Sequence, residues 1–143
     1  MTFLLDVNVL IALIDPWNSK HEVAHEWFSR IDNDAWATCP LTENGVLRIV
    51  GNPRFPNSPG SPAGVVASLE SLLNHAGHEF WPDSISLLDR DKIDCDRLLN
   101  SSQVTDSYLV ALAIAHGGQL ATFDRRLSAD AVHNGASGIH LIQ

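Results

Sequence analysis

The sequence has few cysteines, few basic residues and no long apolar run. Its two cysteines, Cys39 and Cys95, show no short paired spacing. They read as reduced thiols of an intracellular protein rather than as a disulfide framework. No apolar stretch approaches the ~20 residues needed to span a bilayer. The N-terminus lacks the basic-then-apolar pattern of a secretory signal, so a cytoplasmic protein with no membrane partner is expected. Nine Lys and Arg stand against 17 Asp and Glu, a formal charge of −8. That balance argues against a broad basic face for nucleic acid. It leaves room for a nucleic-acid enzyme whose acidic residues hold cations.

The chain has 143 residues, 45% of them apolar and 18% charged. This suits one globular domain over 1–143, large enough to bury a core without staples. "TFLLDV" reads as a buried strand closing on Asp6, and "NVLIALIDP" as a short buried helix stopped near Pro16. "SKHEVAHEWFSRID" has helical period, with Ser19 as N-cap and Glu22 three residues on. "DAWATC" is a strand. "PLTENGVLRIV" is a helix with Pro40 near its start. "GNPRFPNSPGSP", four prolines and two glycines in twelve residues, is a loop over 51–62: a flap, a partner-binding edge or a passive connector. "AGVVASLESLLNHAG" returns to helix, "HEFWPDS" to strand and "RDKIDCDRLLN" to a polar-faced helix. "VTDSYLVALAIAHGG" is a helix stopped at Gly117-Gly118. "QLATFD" is a strand, "RRLSADA" a short helix and "GIHLIQ" the last strand. Strands alternating with helices predict an α/β domain. Its central sheet is mainly parallel, of about four to five strands, with helices on both faces. Ligands of such sheets sit beyond the carboxyl ends of the strands.

Residues 21–25, "HEVAH", spell a zinc-peptidase signature. At about 100° per residue the apolar face of that helix is Val23, Ala24, Trp27, Phe28 and Ile31. His21 and His25 fall at its borders and Glu22 nearly opposite. The extended signature needs glycine at 28 and histidine at 31, where the chain has Phe28 and Ile31. The pair is read as two boundary histidines of a surface helix, open to opportunistic nickel or zinc. The other histidines show no ligand spacing. The tryptophans (17, 27, 36 and 81) read as core or interface.

Four acids sit where solvated charges usually do not. Asp6 and Asp124 end apolar strands, at the carboxyl edge of the sheet. Glu43 precedes Val46, Leu47 and Val50 by three, four and seven residues, in the middle of an apolar stripe. Asp106 precedes Leu109 and Ala113 by three and seven, in a first turn with Thr105 as a candidate N-cap. Singly, each has an ordinary reading as a cap, an Asx turn or an arginine partner. Gathered at one edge they would repel, and a divalent cation resolves that conflict. All-oxygen ligands favour Mg²⁺ or Mn²⁺ over zinc. Such ions activate water and neutralise charge at a phosphoryl group.

"LLDVNVLIAL", "LTENGVLRIV", "TDSYLVALA" and "LATFDRRL", in this order over essentially the whole chain, resemble the PIN-domain ribonucleases, and among them the VapC-type toxins of bacterial toxin–antitoxin pairs. The family's four acidic positions fall on Asp6, Glu43, Asp106 and Asp124. Asn8, Thr105 and Thr122 match polar positions beside the acids and are read either as orienting groups or as plain caps. The resemblance implies a Mg²⁺-dependent endoribonuclease, with Mn²⁺ able to substitute. It implies tRNA, rRNA or mRNA as substrate, a cognate antitoxin that masks the site, a homodimer and a bacterial cytoplasm. Asp6 and Asp106 would hold the principal ion, with Glu43 and Asp124 completing its shell. Removing the four acids still leaves about −4 by the same counting, so phosphate contact must be local. Arg125, Arg126, Arg48 and Arg54 are the candidates, each also readable as an ordinary surface arginine. Two rivals stand beside this reading: an inactive scaffold of the same fold, and another metal-dependent phosphoryl-transfer hydrolase. An aspartate-nucleophile phosphatase needs a second acid where this chain has Asn8.

Overall fold

The computed structural model describes residues 1–31 and 34–143. In chain order they form β1 (Phe3–Leu5), α1 (Val7–Ile14), α2 (His21–Arg30), β2 (Trp36–Thr38), α3 (Pro40–Val50), α4 (Ala63–Leu73), β3 (His78–Phe80), α5 (Gln103–Ala115), β4 (Gln119–Thr122) and β5 (Ile139–Leu141). Asp32, at the end of the expected second helix, lies outside the described residues.

Every strand pairing is parallel, in the order β3-β2-β1-β4-β5. The alternation of side chains along a strand divides the core in two. Phe3 and Leu5 of β1 join α1–α4 on one face, with Trp36 and Leu69. Leu4, between them, joins α5 on the other face, with Leu109, Leu112 and Leu120. Helices cover both faces, as the alternating pattern predicts. Helix α1 is apolar all round because it packs against three other helices, α2, α3 and α4. Among the described residues no helix is long and apolar enough to cross a membrane. Both cysteines are free thiols.

The stop at Gly117-Gly118 is a Schellman motif: Gly118 N–H donates to Ala113 C=O (2.8 Å) and Gly117 N–H to Ile114 C=O (2.9 Å). Gly117 has φ +72°, and a Cβ on Gly118 would stand 2.1 Å from the Thr2 carbonyl oxygen. Glycine is needed here for the turn and for the close approach of β4 to β1.

Several local expectations are corrected. Helix α2 starts at His21, not after a Ser19 cap, because Asn18 Oδ1 accepts the Lys20 N–H (2.9 Å) and forms the turn instead. Helix α5 starts at Gln103, two residues before Thr105. The Gln103 carboxamide holds that start by accepting the Leu99 and Asn100 N–H groups at 2.7 and 3.1 Å. Thr105 is thus an exposed first-turn residue rather than the N-cap. The segments "RDKIDCDRLLN" and "RRLSADA" are not helices, apart from one 3₁₀ turn at Cys95–Arg97. They bridge instead: Ile93 pairs antiparallel with Val132, Asp94 N–H donates to Ala131 C=O and His133 N–H to Lys92 C=O. Pairing that buries Ile93 and Ala131 outweighs the propensity of two short segments with a costly helical nucleus. Trp27, Trp36 and Trp81 are buried, whereas Trp17 is 78% exposed.

Candidate metal and active site

The chain runs outward from β1 to β2 and β3, then crosses back to place β4 on the other side of β1. The crevice beyond the carboxyl ends of β1 and β4 is therefore the topological switch point, where open α/β sheets bind ligands. Asp6 follows β1 directly, and Asp124 lies two residues past the end of β4. Helix α5 runs against β4 and enters it, so its first turn, carrying Asp106, returns to the same edge. Helix α3 leaves β2 at this edge with Glu43 in its first turn.

A hydrogen-bond net ties the ends of β1 and β4 together. Asp6 N–H donates to Ala121 C=O (2.9 Å), extending the ladder to the acid itself. Asp6 is the N-cap of α1: its Oδ1 accepts the Val7 N–H at 2.8 Å. Its Oδ2 accepts the Thr122 hydroxyl at 2.7 Å. Thr122 Oγ1 in turn accepts Asn8 Nδ2 (3.3 Å) and the Asp124 N–H (3.1 Å). Asn8 Oδ1 accepts the Phe123 N–H at 3.3 Å. Asn8 and Thr122 therefore tie the Asp6 carboxylate to the backbone of Phe123 and Asp124.

Charge coupling shows which acids are neighbours. Burial pushes the Asp6 carboxyl up; the Thr122 and Val7 bonds pull it down, and Asp124 raises it again. Asp106 is pushed up to about 6, first by burial and then by Asp6 and Asp124. Those three form a mutually repelling set. Glu43 Oε2 accepts the Thr38 hydroxyl at 2.6 Å. Among the described residues, no three acidic, histidine or cysteine side chains converge closely enough to enclose an ion as they stand; Asp6 is buried, Glu43 and Asp106 are half-buried and Asp124 is exposed. Their chemistry fits a hard divalent cation: the donors are all oxygen, and burial, then the charges of Asp6 and Asp124, push Asp106 up to about 6, a conflict that a cation would relieve.

Of the remaining candidates, Thr105 is exposed and makes no side-chain hydrogen bond among the described residues. Arg48, Arg54, Arg125 and Arg126 are all exposed, and none forms an ion pair among those residues. Arg126 is placed through its backbone, whose N–H donates to Asp124 Oδ1 (2.9 Å).

The "HEVAH" histidines point elsewhere. His21 Nδ1 donates to Ala12 C=O at 2.7 Å and His25 Nε2 to Leu13 C=O at 2.8 Å, with ring centroids 4.4 Å apart. A carbonyl oxygen can only accept, so these two nitrogens carry protons, and His21 Nε2 and His25 Nδ1 hold the rings' lone pairs. The pair satisfies carbonyls that the end of α1 leaves unbonded.

Two residues at the site escape a reading by sequence spacing: Thr38 and His78. His78 Nε2 lies 2.7 Å from Thr38 Oγ1. Burial lowers the His78 pKa, against the opposing charges of Glu43 and Glu79. The signal that finds His78 is register, the pairing of β3 on β2, which no spacing along the chain reveals.

Comparison with known proteins identifies the family. Residues 3–131 match the family profile described as PIN domain. The chain is 44% identical over 141 residues to Ribonuclease VapC44 of Mycobacterium tuberculosis, covering 99% of this chain and 98% of that one. It is 44% identical over 128 residues to Ribonuclease VapC39 of the same organism, covering 90% and 92%. Among solved structures, VapBC2 from Rickettsia felis, bound to a DNA fragment from its promoter, superposes with a TM-score of 0.60 at 15% identity over 87% of this chain and 89% of that chain, a likeness of fold. With acids at the switch point of a parallel sheet and relatives matched end to end, the chain belongs to the PIN-domain family, among the VapC ribonucleases.

Proposed function

We propose that this chain is a Mg²⁺-dependent endoribonuclease and the toxin half of a toxin–antitoxin pair. The observation that carries the reading is the placement of Asp6, Asp106 and Asp124 at the switch point, beyond the carboxyl ends of β1 and β4. The names of its VapC relatives support RNA as the substrate. The VapBC complex supports an antitoxin partner. The domain spans 1–143, works as a homodimer in a bacterial cytoplasm, and takes tRNA, rRNA or mRNA.

Asp6 and Asp106 would hold the cation, with Glu43 and Asp124 completing its shell; Mn²⁺ would substitute. When bound, the ion supplies an activated water and neutralises charge at phosphorus. The protein's own work is positional. Asn8 and Thr122 hold Asp6 and the Asp124 backbone in register. The Asp106 carboxyl must lose its proton before it can serve as a ligand, so protons compete with the cation there, and activity at limiting Mg²⁺ falls as pH drops. Arg125, Arg126 and Arg48 contact phosphates from the exposed rim of an otherwise acidic molecule.

The test is cleavage of labelled RNA by wild type and Asp6→Asn, with Mg²⁺ or chelator. The expected outcome is 5′-phosphate ends from wild type with Mg²⁺, and a loss on the order of 100-fold in the variant and in chelator. Equal cutting by Asp6→Asn, or cutting that survives the chelator, contradicts the reading. A scaffold role would show no cation-dependent cutting by any form. A phosphatase would turn over a phosphomonoester instead, and Asn8, committed to Thr122 and Phe123, supplies no second acid for one.

A further inference from the structure

Glu43 is held by a hydrogen bond from the end of β2. The Thr38 hydroxyl is fully buried at the end of β2. It has one proton to give and two lone pairs to receive with. The proton goes to Glu43 Oε2, at 2.6 Å. The atom on its other side is His78 Nε2, at 2.7 Å. With the hydroxyl proton already committed, that contact is a hydrogen bond only if the imidazole carries its proton on Nε2 and donates. Three groups thus form a directed string, His78 Nε2–H to Thr38 O–H to Glu43 Oε2. Its geometry is fixed at each end. His78 sits on edge strand β3 opposite Trp36, whose ring lies 4.7 Å from the imidazole. Thr38 C=O accepts the Trp81 N–H at 2.8 Å, which pins the β2 end. Among the described residues, Glu43 Oε1 accepts no hydrogen bond, so one carboxylate oxygen is held by the protein and the other is not.

We propose that His78 is a positioning residue for Glu43, acting through the Thr38 hydroxyl to aim the free carboxylate oxygen at the cation. This rests on the nuclease reading above, with Glu43 in the cation's shell. Partners that orient a ligand without touching the metal typically carry about 10- to 100-fold of its affinity. A single donor at one remove from Glu43 sits at the low end of that range. A role in packing alone predicts something different: any side chain of similar shape would serve.

The experiment separates the donor from the shape. Gln and Met are near-isosteres, and only Gln carries an N–H at the reach of His Nε2. Mn²⁺ binding is measured calorimetrically for wild type, His78→Gln, His78→Met, Thr38→Val, the His78→Met/Thr38→Val double variant and Asp6→Asn, each checked for an unchanged fold by its metal-free melting curve. RNA cleavage is followed in parallel. His78→Gln should stay within about threefold of wild-type Mn²⁺ affinity, whereas His78→Met and Thr38→Val should each lose about tenfold. The loss should fall on kcat, with KM for RNA unchanged. The double variant should be no worse than either single one, because both break one string. Equal Mn²⁺ affinity for the Gln and Met variants overturns the proposal, as does additive loss in the double variant. The Asp6→Asn arm distinguishes the two levels. Mn²⁺ binding lost there but equal in Gln and Met overturns the string alone; no Mn²⁺ binding in wild type overturns the nuclease reading with it.

Discussion

Asp106 carries the largest electrostatic conflict in the site. Its pKa is raised from 3.8 to about 6 by burial, then by Asp6 and Asp124. Between those values the folded chain keeps a proton that the unfolded chain has released. The stability linked to this group is therefore complete below about pH 4 and is lost as pH rises through about 6. Asp106→Asn should remove that loss. In chelator at pH 7 the variant should melt above wild type, with the gap closing toward pH 4; a variant that melts lower at pH 7 contradicts the electrostatic account. Added Mn²⁺ should reverse the order, because the ion stabilises only the form that binds it. At this scale the acids were legible because each breaks a local rule: Asp6 and Asp124 end apolar runs, and Glu43 and Asp106 stand on apolar stripes. His78 breaks no such rule. Its meaning comes from a partner 40 residues away, fixed only when β3 docks on β2.

Helix α1 begins and ends on side-chain hydrogen bonds. Asp6 accepts from its first turn, and His21 and His25 donate to the carbonyls of its last. The N-terminal bond aligns a site residue, and the C-terminal pair closes the helix against α2. His21→Ala/His25→Ala should lower stability by about 1–2 kcal/mol in urea denaturation. It should leave the Mn²⁺ response of the melting temperature unchanged. A variant that loses that response would return the "HEVAH" pair to the functional site. Helical period located α2 to α5 correctly, because each hides an apolar stripe on the sheet or on a neighbouring helix, and a continuous apolar run located α1. It failed at "RDKIDCDRLLN" and "RRLSADA", where Ile93, Ala129 and Ala131 are buried against α5 and the chain pairs across the Ile93–Val132 bridge. That partnership is tertiary, and the same spacings serve a helix or a paired loop.

The whole molecule carries a formal charge of −8, so RNA must meet it at a local basic rim and at bound cations. Replacing Arg125 and Arg126 with alanine should raise KM for RNA several-fold. It should also make the dependence of log affinity on log salt shallower by about 1.4 for two lost single-strand contacts. An unchanged slope would show both arginines to be ordinary surface residues. The architecture was legible in the alternation of strand and helix, and so was the edge on which the acids gather. The strand order was not, because a parallel crossover leaves no mark in periodicity; yet the order creates the crevice between β1 and β4. The most direct measurement is anomalous diffraction from a crystal of the protein soaked in Mn²⁺. The account predicts a peak in that crevice, within bonding distance of Asp6 and Asp106 and bordered by Glu43 and Asp124. Carboxylates with no shared anomalous density, or a peak held by His21 and His25 instead, would contradict it.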